Sequence, residues 1–451
     1  MWLTYSFTAL RKDKLKILMT VVLAVCFSGP GNYIFGQIAL SLPDAIRLSQ
    51  EHSYSIKSSR LDSLSANYDL WSARANRFPT LSLSATSFYI NKLQSISIPF
   101  FGARTLGVKD NYQADLRMTM PLYTGGRISN QIRVQQEIAI GKSFSLQSER
   151  LDNAYLARKA YLGLMAAQTA LAAELASASR LNIIRKDVEN LYKAGMADSV
   201  DILDSEISLE KCNQAVDERR TALKNAASTL ARLVGLAQGD SIVPADSVPA
   251  PDFGTYKDAR PTMDQINRPE LKALQSRVQA ANAAARLNTA NYFPTLAGYG
   301  GYSYGRPNKD LFNHTWNDYW TAGLNLNWDF NLGGGKISNV HSARAAAISA
   351  DMTLKDLQES IMLLARTALQ NLTLAYNSYL ATQRQLGLSG REFGLAQKQQ
   401  RAGKISTNRL LELEAGLTST EQLFQASMIN YYISETEYLY AIGSSKIYGG
   451  F

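Results

Sequence analysis

Few side chains of this chain sit where they could do covalent chemistry. His52, His314 and His341 are its only histidines, and none makes the i, i+4 pair that holds a zinc on a helix. The stretch GGGKIS, 333–338, looks like a phosphate loop. It fails on two counts: Ile337, not Ser or Thr, follows Lys336, and Phe330 stands where the loop needs its first glycine. Gly333, Gly334 and Gly335 read instead as a joint between strand and helix, as do Gly125 and Gly126. The charges with a suggestive pattern lie at two breaks in helical sequence, YKAGMADSVDIL at 192–203 and QRAGKISTNRLL at 400–411. Asp201 and Asp204 stand six and nine residues after Gly195, and Arg409 and Glu412 stand at the same offsets from Gly403. At each break the glycine ends one helix, and Ser199 or Thr407 is expected to cap the next. Asp201 and Asp204 would also complement a helix dipole in the first turn. The chain therefore reads as no enzyme, with no metal or cofactor to hold.

The elements carrying these breaks follow from the ends and the periodicity. Arg11, Lys12, Lys14 and Lys16 precede the apolar run 17–27, and GPGNYIFGQ follows it. That order reads as a secretory signal over 1–36, with cleavage expected before Gln37. Cys26 offers a second reading as a lipid-attachment cysteine, which Val25 before it fits poorly. Cys212 is the one other cysteine, so an exported chain of 451 residues must be held by packing and not by disulfides. The formal charge of +9 comes from Lys and Arg interspersed with Asp and Glu, which points to solvated helix faces rather than nucleic acid. After the signal no window is apolar enough for a membrane helix. A soluble exported protein, a surface protein and an outer-membrane β-barrel remain open.

Self-similarity narrows the choice. NRFPTLSLS, 76–84, matches NYFPTLAGY, 291–299; MPLYTGGRISN, 120–130, matches DFNLGGGKISN, 329–339; and the two breaks match each other. Their order and spacing predict a tandem duplication, 37–240 and 263–451, joined by the proline-rich linker 241–262. In each half a helical pattern gives way to alternation. Leu116, Met118, Met120 and Leu122 oppose Asp115, Arg117 and Thr119, and Leu324, Leu326, Trp328 and Phe330 oppose Asn325, Asn327 and Asp329. Period two predicts hairpins over 80–123, with a loop near 91–109, and over 295–330. Beyond each hairpin a long helix runs to a tip, 194–199 or 402–407, and a shorter one returns. Leu181, Ile184, Val188 and Leu191 have coiled-coil spacing. A helix of about 65 residues is about 100 Å long, matching two shorter helices end to end. Each half is thus a rod with its hairpin at one pole and its tip at the other, and the linker falls near the middle.

Four strands cannot close a barrel. Aromatic residues cluster at their ends, among them Phe88, Tyr89, Tyr112 and Tyr123 in the first hairpin and Tyr302, Tyr304, Trp316 and Trp320 in the second. Aromatics are common in any strand, but a set of this kind matches the girdles at the two faces of a bilayer. Open edges are not tolerated in lipid, so subunits would have to share one barrel. Two chains would close eight strands and three would close twelve. A soluble periplasmic coiled-coil scaffold, with hairpins paired inside the chain, is the alternative.

These residues resemble the TolC family of outer-membrane efflux channels, from LSLPDAIRLSQ at 40–50 through RPELKALQSRVQAANAAARLNTANYFPTL at 268–296 to the last helix. The resemblance implies an α+β membrane protein. In that family three chains share a twelve-stranded barrel in the outer membrane, continued by an α-helical tunnel across the periplasm, and the same is expected here in the outer membrane of a Gram-negative-type cell. It implies a passive exit duct that meets a periplasmic adaptor and an inner-membrane transporter. The adaptor would dock at Ala194, Gly195, Met196, Ser199, Ala402, Gly403, Lys404 and Thr407. The family closes its tunnel with acidic side chains six and nine residues after the second glycine. Here those positions hold Arg409 and Glu412, so one acid is replaced by a base that could pair with Asp201 or Asp204.

Overall fold

The computed structural model describes residues 38–100, 102–236, 242–309, 315–330 and 332–451. The signal segment with Cys26, and His314, lie outside them. Ser41 opens the first long element: its hydroxyl accepts the amide of Asp44, and Pro43 sits in the first turn, where a missing N–H costs nothing. The pattern expected as one helix is two, α1 (Leu42–His52) and α2 (Tyr54–Ala75). Ser53 causes the break, leaving helical geometry while its side chain accepts from Ile56 N and caps α2.

After Pro79 the chain forms β2 (Thr80–Tyr89) and β5 (Asp110–Tyr123), antiparallel with Thr80 opposite Thr119. The stretch expected as a loop carries its own small hairpin, β3 (Gln94–Ile98) and β4 (Gly102–Leu106). A second pair, β7 (Thr295–Arg306) and β8 (Asn317–Asn327), joins the first through β5, giving one sheet in the order β2, β5, β7, β8. Its faces are sharply different. Leu83, Leu116, Tyr302 and Trp320 share one row, flanked by Leu81, Met118 and Leu324 on the same face; Leu83 and Trp320 are each 76% exposed. The other face carries Ser82, Arg117 and Thr321 in one row and Ser84, Asp115 and Ser303 in the next. Tyr112 and Tyr304 both stack on Trp316 at the far end, and Trp328 lies tilted against Phe330 where the helices begin.

The helices form a rod. From the joint at Gly126, α3 (Arg127–Lys193) runs 67 residues to the first tip, and α4 (Ser199–Val234) returns for 36. Later α5 (Pro269–Ala290) leads into β7, and from the joint at Gly334 α6 (Gly335–Arg401) again runs 67 residues before α7 (Thr407–Ile442) returns for 36. The short helices meet halfway: the end of α4 at Gly235 lies against the ring of His52, and Asn267 N donates to Ile442 O beside Gly443. Residues 242–262 lie against this mid-level. Their first part is a short strand, β6 (Ile242–Pro244), parallel to β1 (Ile38–Leu40). Tyr161 of α3 donates to Leu40 O and Asp246, and Tyr431 and Tyr432 of α7 donate to Asp252 O and Pro249 O. Burial pushes the Tyr432 phenol up to about 12, so it remains a donor.

The core at this level also holds the fully buried Arg158. Its guanidinium donates to Thr436 Oγ1, to Gly449 O and to Glu435, whose other oxygen accepts from Tyr256. Burial lowers the Arg158 pKa and Glu435 opposes that shift. Each charge therefore depends on the other.

Packing sets the lateral order. Near the tips α4 packs on α3, α3 on α7 and α7 on α6; near the sheet the order is α2, α3, α5, α6. With β2 and β8 at the sheet edges, one side of the chain is β2, α2 and α4, and the other is β8 and α6. The molecule is an open strip. Among the described residues no helix is long and apolar enough to cross a membrane.

Glycines of the joints and of the tips differ in what they resist. Gly125 has φ +62°, and a Cβ there would lie 2.5 Å from Phe293 Cβ and 2.9 Å from Ala290 O. Gly195 has φ +74° with open space around it. Gly125→Ala should therefore cost about 3 kcal/mol or more, from strain plus overlap, and Gly195→Ala about 1 kcal/mol. Melting of the detergent-solubilised protein by circular dichroism checks this; equal losses would contradict it.

Candidate functional site: the helical tips

The first tip turns through Gly195, whose left-handed φ lets Met196 N close back onto Leu191 O. The second repeats this with Gly403 at φ +67° and Lys404 N on Gln399 O. The caps are not the residues expected. Asp198 caps α4: its carboxylate accepts the amides of Val200 and Asp201, while Asp201 accepts from Asp198 N in a reciprocal capping box. Ser406 caps α7, accepting from Arg409 N. Ser199 and Thr407 are the first helical residues, because it is the extended residue before them that can turn its side chain onto the free amides. The D-x-x-D spacing of Asp198 and Asp201 was the available signal.

Of the expected surface residues, Ala194, Gly195, Met196, Ser199, Ala402, Gly403 and Lys404 are exposed. Thr407 is buried in the tip core, so its side chain offers no surface within this chain. Asp201 is occupied by its cap. Arg409 pairs with Glu412 at 3.0 Å and with Glu392 at 3.8 Å, both from the second half of the chain. Among the described residues no ion pair joins Arg409 to Asp201 or Asp204.

Two cross-helix contacts that the sequence gave no sign of hold the tips together. Arg401 at the end of α6 pairs with Asp187 of α3 at 2.9 Å. Higher up, Arg180 of α3 reaches Glu414, Thr418 and Glu421 of α7, and the nearly buried Glu414 also accepts from Ser177. Cys212 lies in the adjoining core near Glu174, and burial pushes its thiol up, which disfavours a nucleophilic thiolate. Around these the apolar layer is Leu181, Ile184, Val188, Phe393 and Leu410. The glycine joints at the other pole, Gly125, Gly126, Gly333, Gly334 and Gly335, lie where strand turns into α3 and α6. Gly126 and Gly334 stand in left-handed conformations as the residues before those helices.

A rod of paired long helices carrying an amphipathic sheet with open edges defines a class of elongated proteins. The outer membrane efflux protein family model matches residues 45–236 and 263–436, and the chain belongs to that family. This meets the expectation drawn from the resemblance to the TolC family of outer-membrane efflux channels. The fold is shared with CusC, whose structures concern folding and transmembrane channel formation (TM-score 0.78, 15% identity, 93% of this chain and 96% of that one). It is shared also with the outer membrane protein VceC of Vibrio cholerae (0.77, 14%, 89% and 96%) and the Campylobacter jejuni CmeC outer membrane channel (0.75, 15%, 89% and 85%). No curated protein matches the chain.

If Asp198 is the cap, Asp198→Ala should cost about 1 kcal/mol and Ser199→Ala close to nothing. Faster amide hydrogen exchange across the first turn of α4 in the first variant alone is expected; the reverse pattern would return the cap to Ser199.

Proposed function

We propose that the chain is the outer-membrane channel of an efflux or secretion system, a passive exit duct closed by three copies and fed by an inner-membrane transporter through a periplasmic adaptor. The observation that carries this is the open sheet with one exposed apolar face. Strands of 10 to 14 residues are long enough to cross a bilayer when tilted. Aromatic clusters at both ends mark the interfaces, and the opposite, polar face would line a wet lumen. An open four-stranded sheet cannot stay in lipid, whereas copies joined β8 to β2 close it without an edge. Membership of the outer membrane efflux protein family supports the location, and the family's three-chain closure, implied by the resemblance, supplies the count.

The repeated order of helix, hairpin, 67-residue helix and 36-residue helix supports a tandem duplication with 242–262 as its connection. The tips lie at the pole away from the sheet, where the duct would open to the periplasm. We assign the exposed tip residues to adaptor docking and Asp201, Asp204, Arg409 and Glu412 to the gate. Within one chain Arg409 is held by Glu392 and Glu412, so any pairing with Asp201 or Asp204 would form between tips of neighbouring copies. Mixed signs there differ from an all-acidic mouth, which favours cations.

The purified full chain should have the mass of three chains in detergent and give stepwise conductance in a planar bilayer. A monomer in the soluble periplasm would reject the reading. Arg409→Ala should raise single-channel conductance or open probability; unchanged currents would remove Arg409 from the gate.

A further inference from the structure

The lower edges of the strip carry opposite charge in matching positions. On α4, Leu203, Ile207, Glu210, Gln214 and Asp217 stand four, three, four and three residues apart, with Glu206 and Glu218 beside them. On α6, Arg384, Leu388, Arg391, Leu395 and Lys398 follow the same spacing. Both are 3.5-period stripes, the pattern of a helix seam, yet every residue of each is exposed. Leu203 and Ile207 are 56% and 52% exposed, and Leu388 and Leu395 are 61% and 62%. Glu210, Arg384, Arg391 and Lys398 form no ion pair among the described residues; Arg391 donates only to Gly387 O of its own helix. Asp217 already holds Arg220, and Glu206 lies 4.0 Å from Arg185.

The heights agree as well. α4 climbs from its tip while α6 descends to its own, so distance from each helix end can be compared. At 1.5 Å per residue, Leu203 lies about 6 Å up and Leu395 about 9 Å, Glu210 about 17 Å and Arg391 about 15 Å, Glu218 about 29 Å and Arg384 about 26 Å. Leucine meets leucine, and acid meets base twice.

We infer that α4 of one copy and α6 of the next form a charged seam, with Glu210 against Arg391 and Glu218 against Arg384, flanked by Leu203 on Leu395. This rests on closure of the strip by identical copies. The occupant of the α4 face is a second copy of this chain, chosen by charge complementarity and by continuity with the β2 and β8 edges above it. The seam is heterologous, so each copy offers one face of each sign and a ring repeats it at every junction. A shift by one heptad one way would bring Glu210 opposite Arg384 and leave Glu218 without a base; one the other way would put Lys224 opposite Arg384, base against base.

The test uses the full chain with Cys212→Ser as background. Oxidation of the Glu210→Cys, Arg391→Cys double variant should give covalent dimers and trimers on a non-reducing gel, and neither single cysteine should. If the uncrosslinked protein has the mass of three chains but the pair does not crosslink, the seam is overturned and ring closure stands. A mass of one chain would remove ring closure and the seam with it. Without cysteines, Glu210→Arg and Arg391→Glu should each lower the temperature at which the oligomer dissociates, and the two together should restore it. A combined variant no better than either alone overturns the pairing.

Discussion

A strand edge in hydrocarbon leaves a row of amide and carbonyl groups without partners, each at a cost of several kcal/mol. β2 and β8 present two such rows on a sheet whose one face is apolar and exposed. The helices inherit the same geometry, because α2 and α4 continue the β2 side of the strip and α6 continues the β8 side. The closure proposed for this chain would therefore run along its whole length.

Rigidity along the strip comes from the mid-level. Two pairs of shorter helices abut there, and a seam between helix ends would be a weak point without side-chain and linker contacts across it. Arg158 with Glu435 and Tyr256 ties α3 to α7 and to the linker, and Tyr161, Tyr431 and Tyr432 fasten the linker backbone. Buried tyrosines suit this task, since each supplies a large apolar ring and one hydroxyl that must find an acceptor. Below that level the packing thins to one apolar layer and the Arg180 network, and the tips end in short glycine turns. The part assigned to opening is thus less extensively packed than the mid-level above it.

Much of this was legible because the signals were local and repeated. Alternation of Leu116, Met118 and Met120 against Asp115 and Arg117 fixes a strand whatever it pairs with. The glycine pairs mark the joints, since left-handed backbone there suits few other residues. The misses were of two kinds. The break at Ser53 and the caps at Asp198 and Ser406 turn on which of several adjacent polar residues rotates onto free amides, a choice that spacing alone leaves open. The hairpin β3 and β4 lay in a stretch too short and mixed for its alternation to stand out.

The sequence by itself determined the family, the order of elements, the two tips and the amphipathic sheet, because periodicity and paired motifs are properties of the linear chain. Only the tertiary structure decided which strand lies beside which, that β5 joins the halves, and that α4 and α6 end up as opposite edges. It also decided that Arg409 rests on Glu392 and Glu412 while Thr407 is buried. Contacts such as Arg180 to Glu414 or Arg401 to Asp187 join residues more than two hundred positions apart. No local pattern encodes such a pairing; it follows from how the helices stack in space.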